Sequence, residues 1–404
     1  MTRVLRIART RAALTFVLAG LMCGTFTARI PALTGKLGLS EASVGVVLLA
    51  WGLGALVTMQ SLRGVMARAG SRAVLRAGAP LSAVSLAGIA FAPSLPWAVA
   101  AAALFGMAFG TVDVAMNAQG STVERAYGRP LMNGMHAGWC VGAISAGTLG
   151  TLAITAGVSF EANLVAVAVV SAPMAFLLSR GFLPDPVAPA ASPGAPQRAM
   201  PPVVYLLGAI AFGAFMVEGA VADWNGLFLR DTVGVPEAVA ALGYPIFEAG
   251  MLLARLAGDR LRARLGTRRL IVASGLGTAA SFALVIVTAS PLVAIPGMLL
   301  IGLTVATISP MAMSLAGTAT ATPGPAIAQT GAMGYAGLLL GPVVIGFLSH
   351  AATLRTALGV AVILGALIAA AARFLPREPA AVTGVQPLRE RAAEPEPEPV
   401  SLAA

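Results

Sequence analysis

An all-α membrane protein of twelve transmembrane helices, arranged as two parallel-repeat six-helix bundles, is the fold class that three observations predict. The chain is 58% hydrophobic and only 10% charged, with a mean hydropathy of +0.87, too apolar for a soluble chain of 404 residues. Apolar runs, each near the roughly 20 residues that cross a hydrocarbon core, recur with short polar breaks. The second half also repeats the first at a shift of 196 residues. The runs are continuously apolar instead of alternating, which argues against a transmembrane β-barrel.

The first run, 12–33, follows Arg3, Arg6, Arg9 and Arg11. A secretory leader begins in the same way, but no convincing cleavage site follows and the second run starts at once, so the run is read as a retained helix. Runs two and three, 42–62 and 73–93, flank a basic turn with Arg63, Arg68, Arg72 and Arg76. Runs four and five, 96–119 and 131–155, are joined through Arg125 and Arg129, and run six, 159–180, ends on Arg180. Residues 1–180 therefore form one six-helix unit. The segment 181–202, rich in Pro, Ala, Ser and Gly, reads as a cytoplasmic linker. The second unit, 203–375, holds runs at 203–229, 236–257, 267–290, 292–316, 326–349 and 354–375. The tail 376–404, with its Glu-Pro repeats, is expected to be disordered.

The net charge of +10 is a matter of topology. Of the 26 Lys and Arg, 22 fall on one side of the predicted spans, Lys36, Arg230 and Arg355 fall on the other, and Arg29 lies within a helix. Positive residues stay cytoplasmic, so both termini are placed inside, with no nucleic-acid partner implied. Cys23 and Cys140 both sit in predicted spans and read as small packing residues.

The 196-residue shift superposes Gly38 on Gly234, Gly54 on Gly250, Gly106 on Gly302, Thr111 on Thr307 and Gly138 on Gly334. In a chain rich in Ala and Gly such identities also arise by chance. More specific is the basic turn, where Ala67, Arg68, Gly70 and Arg72 fall on Ala263, Arg264, Gly266 and Arg268. Glycines permit the tight turn, and the arginines bind helix-end carbonyls or acids.

Ionisable residues inside the spans are the candidate site. A carboxylate at the centre of a spanning helix costs about 2.5 to 3.5 kcal/mol on insertion scales, so its presence points to a polar route through the membrane. Asp113 and Asn117 stand one turn apart on helix 4 and share a face. His136 enters on helix 5 at a similar depth, and Glu218 and Glu248 fall near the membrane midplane of helices 7 and 8. Asp113 and His136 lie roughly 8 to 10 Å to the cytoplasmic side of centre, with Arg29 and Asp223 a comparable distance to the outer side. Glu218 and Asp223 are five residues apart, about 140° around the helix, and are not expected to share one site. Trp139 and Trp224 are candidates to stack on a solute ring, with interfacial anchoring as the alternative. No Walker loop, metal-ligand cluster or nucleophile-base set is present, so the sequence implies neither an enzyme, an ATP-driven pump nor a cofactor.

Over almost its whole length the chain resembles the major facilitator superfamily. The resemblance rests on the turns Arg63 to Arg72 and Asp259 to Arg268, which keep the basic residues and second glycine of that family's gating turn. Ala67 and Ala263 stand at its acidic position, and Asp259 is the nearby acid in the second half. Arg68, Gly70, Arg72, Asp259, Arg264, Gly266 and Arg268 are accordingly the implied gating residues. Asp113 and Asn117, the ending ARIPAL of helix 1 (Ala28 to Leu33) and the stretch Glu218 to Asp231 are similar to the fucose permease-like branch, especially its bacterial inner-membrane members. There the helix 4 acid serves proton-coupled sugar uptake; helix 1 here has Arg29 in place of a second acid. Helices 1 and 7 face one another across the pathway in that family, which implies an Arg29–Asp223 outer gate.

The implied function is secondary active transport by alternating access at a central site, in a single chain within the bacterial inner membrane. Proton-coupled symport of a small polar solute such as a sugar is the first expectation. Proton-antiport export of hydrophobic or cationic compounds is the alternative, and Met-rich, weakly polar cavity walls would favour it. A non-transporting sensor is the remaining one. Asp113 is the first candidate to carry the proton and Glu218 the second, with His136 as the partner of Asp113.

Overall fold

The computed structural model describes residues 3–127, 131–185, 200–319 and 323–376. The expected linker and tail therefore lie largely outside the described residues, as does the side chain of Asp259. Among the described residues there are helices and turns but no strand. Twelve helices are long and apolar enough to cross a membrane: α1 Arg3–Leu37, α2 Glu41–Met59, α3 Arg68–Ala90, α4 Leu95–Tyr127, α5 Gly134–Thr155, α6 Phe160–Ser179, α7 Pro202–Thr232, α8 Glu237–Gly258, α9 Thr267–Thr288, α10 Pro291–Gly317, α11 Gln329–Ala351 and α12 Leu354–Ala372. Each expected run has its helix. The differences lie at the ends, because a helix continues past its apolar stretch wherever polar side chains can reach water; α4 runs on to Tyr127 in this way.

Local chemistry sets the boundaries. Gly38 closes α1 in the left-handed conformation (φ 61, ψ 41), and Ser40 and Ser159 cap α2 and α6 by accepting from the amides of Ser43 and Ala162. Gly70 and Gly266 adopt almost the same positive-φ geometry, φ 75, ψ 162 and φ 74, ψ 155, which other residues reach only with strain. Several spans deviate from regular helix. Non-helical Arg29 (φ −105, ψ 8) bends α1, α7 ends in a π turn over Phe228–Thr232, and α10 is interrupted between Val305 and Ile308.

The repeat is visible in packing. A Cβ on Gly106 would lie 1.9 Å from the carbonyl oxygen of Trp51, and one on Gly302 would lie 2.1 Å from that of Phe247. Trp51 and Phe247 are themselves 196 residues apart. In each half, then, the fourth helix touches backbone of the second through the same glycine. Within the first bundle α1 packs on α5, α2 on α4 and α3 on α6; within the second α7 packs on α11, α8 on α10 and α9 on α12. The bundles meet through α2 with α11, α5 with α8, and α1 with α7. Large apolar side chains such as Leu292, Val287, Phe374 and Trp97 remain exposed around the outside, as a lipid-facing surface requires.

Candidate functional site: a cavity between the bundles

Both ends of the chain's helical span lie on one face, and the bundles join mainly near the opposite, distal face. There the guanidinium of Arg230 donates to the carbonyl of Pro31 at 2.6 Å, and the hydroxyl of Thr151 donates to that of Ala238 at 3.2 Å. Gly45 and Gly346 bring α2 and α11 into backbone contact. Behind this closure lies a cavity of about 240 Å³ lined by both bundles. His136 and Tyr335 on its wall are exposed.

Asp113, Glu218, Asp223, Glu248, His136 and Trp139 all line this one cavity. Asp113 is held from both sides. The hydroxyl of Tyr335, on the other bundle, donates to its Oδ2 at 3.1 Å. Asn117 donates to its Oδ1 at 3.3 Å and to its backbone carbonyl at 2.9 Å. Asn117 itself is not on the wall; it props Asp113 from one turn along α4. The bond to Tyr335 spans the bundle interface, so its geometry depends on how the bundles lie. Glu218 accepts from the hydroxyl of Ser309 at 3.3 Å, just past the interruption in α10. Glu248 is 4% exposed, and its Oε2 has no hydrogen-bond partner.

Several expectations are corrected. The donors to Asp113 are Tyr335 and Asn117 instead of His136, whose ring stands edge-on to Phe16 at 5.1 Å between centroids. Asp223 and Glu218 share the cavity despite their angular separation, because the cavity is broad enough to expose more than one face of α7. Trp224 is fully buried beside Gly346 and is not on the wall. Arg29 pairs with Glu237 at 3.6 Å, not with Asp223, because the bend in α1 carries it to the distal start of α8. Arg255, counted from sequence among the cytoplasmic basic residues, lines the cavity and donates to the sulfur of Cys140 at 3.1 Å. Its spacing of seven from Glu248 places both on one face of α8, a signal already present in the sequence.

At the basic turns the arginines are described but the side chain of Asp259 is not. The ion pairs among the described residues include Arg29–Glu237, Lys36–Glu161 and Arg230–Asp231. Arg68 and Arg264 are exposed, and Arg72 and Arg268 are half-buried. The acid missing at Ala67 is supplied from elsewhere. Asp185, just after α6, accepts from the backbone amide of Ser71, from its hydroxyl at 2.7 Å and from the hydroxyl of Thr122 at 3.2 Å. Gln119 completes the knot by donating to Ser71 at 2.9 Å and to the carbonyl of Leu183 at 3.0 Å. A Cβ at Gly70 would come within 3.2 Å of Asp185, so the glycine also makes room for this clamp.

A model of the Major Facilitator Superfamily matches the chain over residues 12–329 and again over 207–403. The uncharacterized transporter y4wD of Sinorhizobium fredii is 33% identical over 365 residues, covering 89% of this chain and 96% of its own. The membrane protein MosC of Rhizobium meliloti is 30% identical over 376 residues, covering 91% and 90%. Among solved structures, a bacterial homolog of the human lysosomal transporter Spinster, inward-facing and unoccupied, superposes with a TM-score of 0.76 at 14% identity, covering 92% of this chain and 98% of its own. The nucleoside transporter NupG does so with a TM-score of 0.69 at 17% identity, covering 92% and 98%. These two establish likeness of fold. On its sequence match and its fold, the chain is a multi-pass membrane transporter belonging to the major facilitator superfamily.

Proposed function

We propose that the chain is a proton-coupled secondary carrier that works by alternating access, with Asp113 as its first proton site and Glu218 as its second. The observation that carries this reading is that Asp113 and Glu218, on opposite bundles, face one cavity deep within a spanning structure. Ionised groups in a low-dielectric interior are costly unless water, a counter-charge or a proton compensates them. A route that is wet first on one side and then on the other provides that compensation in alternation. The arginine asymmetry supports a reading in which both termini are cytoplasmic, and the resemblance to bacterial inner-membrane carriers supports a bacterial plasma membrane. The conformation described, closed distally, then faces inward.

Symport of a small polar solute such as a sugar follows from the likeness of Asp113 and Asn117 to the fucose permease-like branch. Antiport of a less polar compound is favoured by Met59, Met116 and Met251 on the cavity wall. A pH electrode on reconstituted, right-side-out vesicles separates the two: addition of the transported solute alkalinises the outside for symport and acidifies it for antiport. Solute flux with no pH change in either direction would remove the proton from the mechanism.

The distal closure gives a second test. Arg29→Glu and Glu237→Arg each reduce transport, and the double reversal restores more of it than either alone. Arg29→Glu combined with Asp223→Arg restores none. Initial rates of solute uptake read the difference, and equal loss in the two double variants would dissociate Arg29 from Glu237.

A further inference from the structure

We propose that the transported solute carries a protonated amine, bound by the acidic wall that α7 and α8 present to the cavity. The proposal rests on the carrier reading above and adds the class of solute. The cavity wall holds four carboxyls, Asp113, Glu218, Asp223 and Glu248, against one guanidinium, that of Arg255. Arg255 donates to Cys140 and forms no ion pair among the described residues, and its single charge is shared between Glu218 and Glu248 on the same wall. Even with the imidazole of His136 charged, two of the four carboxyls are left without a counter-charge.

The unbalanced acids belong to the second bundle. Asp113 already has the hydroxyl of Tyr335 and the amide of Asn117. Glu248 is satisfied on one side only: the side chains of Tyr244 and Cys140 face it, but it is almost wholly buried on the cavity wall and its Oε2 lacks any donor. A buried carboxylate oxygen without a donor costs the full desolvation of that group, several times what a made hydrogen bond returns. An ammonium group supplies both the missing donors and the missing charge.

The rest of the wall separates an amine from a neutral polyol. No Asn, Gln or Ser lines the cavity among the described residues, and its neutral hydroxyls are those of Thr27, Tyr244 and Tyr335. A solute read by hydroxyl groups alone would find few uncharged partners. The first bundle adds Trp51, Phe109 and Trp139 to the wall, with Phe109 and Trp139 edge to face at 5.7 Å. Such rings hold a cation over their faces or the apolar body of an amphipathic amine.

The test uses the full-length chain in lipid nanodiscs and two matched pairs of probes: 2-phenylethylamine against 2-phenylethanol, and glucosamine against glucose. Trp51 and Trp139 lie in the cavity, so quenching of tryptophan fluorescence reports occupancy. The expected result is tighter binding of the amine by about tenfold or more in at least one pair. Glu248→Gln should abolish that preference, weakening the amine about tenfold more than the alcohol; Asp223→Asn is the second variant should the first fail to fold. Equal binding within both pairs, preference for the alcohol, or no binding of any probe would overturn the amine. The carrier reading is scored separately by the pH electrode. A pH response to glucose but not to glucosamine keeps the carrier and rejects the amine, whereas tight amine binding with no flux of any kind keeps the site and rejects the carrier.

Discussion

Asp113→Asn is expected to reduce solute-driven proton movement to the rate of protein-free vesicles while leaving the protein folded and able to exchange solute for solute. The substitution keeps the shape of the side chain. An amide oxygen still accepts from Tyr335, which lies 3.1 Å from Oδ2 in the parent chain, so packing across the interface is preserved. What is lost is the capacity to take up and release a proton. The bond to Tyr335 is the reason to expect the largest loss here and not at Glu218. Glu218 is held by Ser309 within its own bundle, whereas the donor to Asp113 sits on the other bundle and is displaced relative to it when the bundles rock. A carboxylate left without its donor in a poorly hydrated site must be compensated, and a proton is the smallest group able to do it. Proton uptake is thereby tied to the state of the interface, as coupling requires. A pH electrode measures the coupled reaction, and counterflow of labelled solute measures exchange. Full proton movement in Asp113→Asn together with its loss in Glu218→Gln would transfer the role to Glu218. Tyr335→Phe should fall between parent and Asp113→Asn in proton movement.

The large features of the molecule were legible because they follow from a simple rule. A helix that must cross lipid has to be apolar for about 20 residues, so composition and run length give the twelve spans and their order. The 196-residue repeat gave the two bundles, and the paired contacts of Gly106 and Gly302 are its physical content. Acids within apolar runs stood out for the same reason, and Asp113, Glu218 and Glu248 reach the cavity. Partners were another matter. Tyr335 is 222 residues from Asp113, and Asp185 is 114 residues from Ser71; no local period links such positions. Arg29 illustrates the limit. Its depth in α1 could be counted from sequence, but the bend at Arg29 redirects it toward Glu237, and the signal for that bend is Pro31, whose missing amide interrupts the helix, and not any feature of the apolar pattern. Arg255 was passed over because it begins a run of arginines, although its spacing from Glu248 placed it on the cavity face.

Gly346→Leu is expected to hold the carrier open at the distal face, abolishing turnover without unfolding either bundle. A Cβ at Gly346 would lie 2.9 Å from the carbonyl oxygen of Glu41, 3.1 Å from the Cα of Gly45 and 3.2 Å from the ring of Trp224. Two of these atoms are backbone of α2, in the opposite bundle, and backbone in a helix does not yield as a side-chain end does. The clash with α2 therefore exists only while the bundles are together at this end, whereas the ring of Trp224, in the same bundle, has to turn aside in either state. Overpacking of this kind costs about 1 to 3 kcal/mol even where neighbours can adjust. Because only the distally closed state bears the part of that cost that comes from α2, the equilibrium shifts toward the other state by roughly tenfold to a hundredfold. Gly106→Leu provides the contrast. Its clash, 1.9 Å from the carbonyl of Trp51, lies between α2 and α4 of one bundle, so no rocking motion relieves it and loss of folded protein is the outcome. Spin labels at Ala156→Cys and Ala352→Cys, exposed distal positions on the two bundles, read the effect in a background with Cys23 and Cys140 replaced by Ser. The distance between them lengthens in Gly346→Leu while the melting temperature stays near that of the parent. An unchanged distance would mean that the α2–α11 contact at Gly346 does not separate during the cycle, and the gate would have to be sought in the α1–α7 and α5–α8 contacts instead.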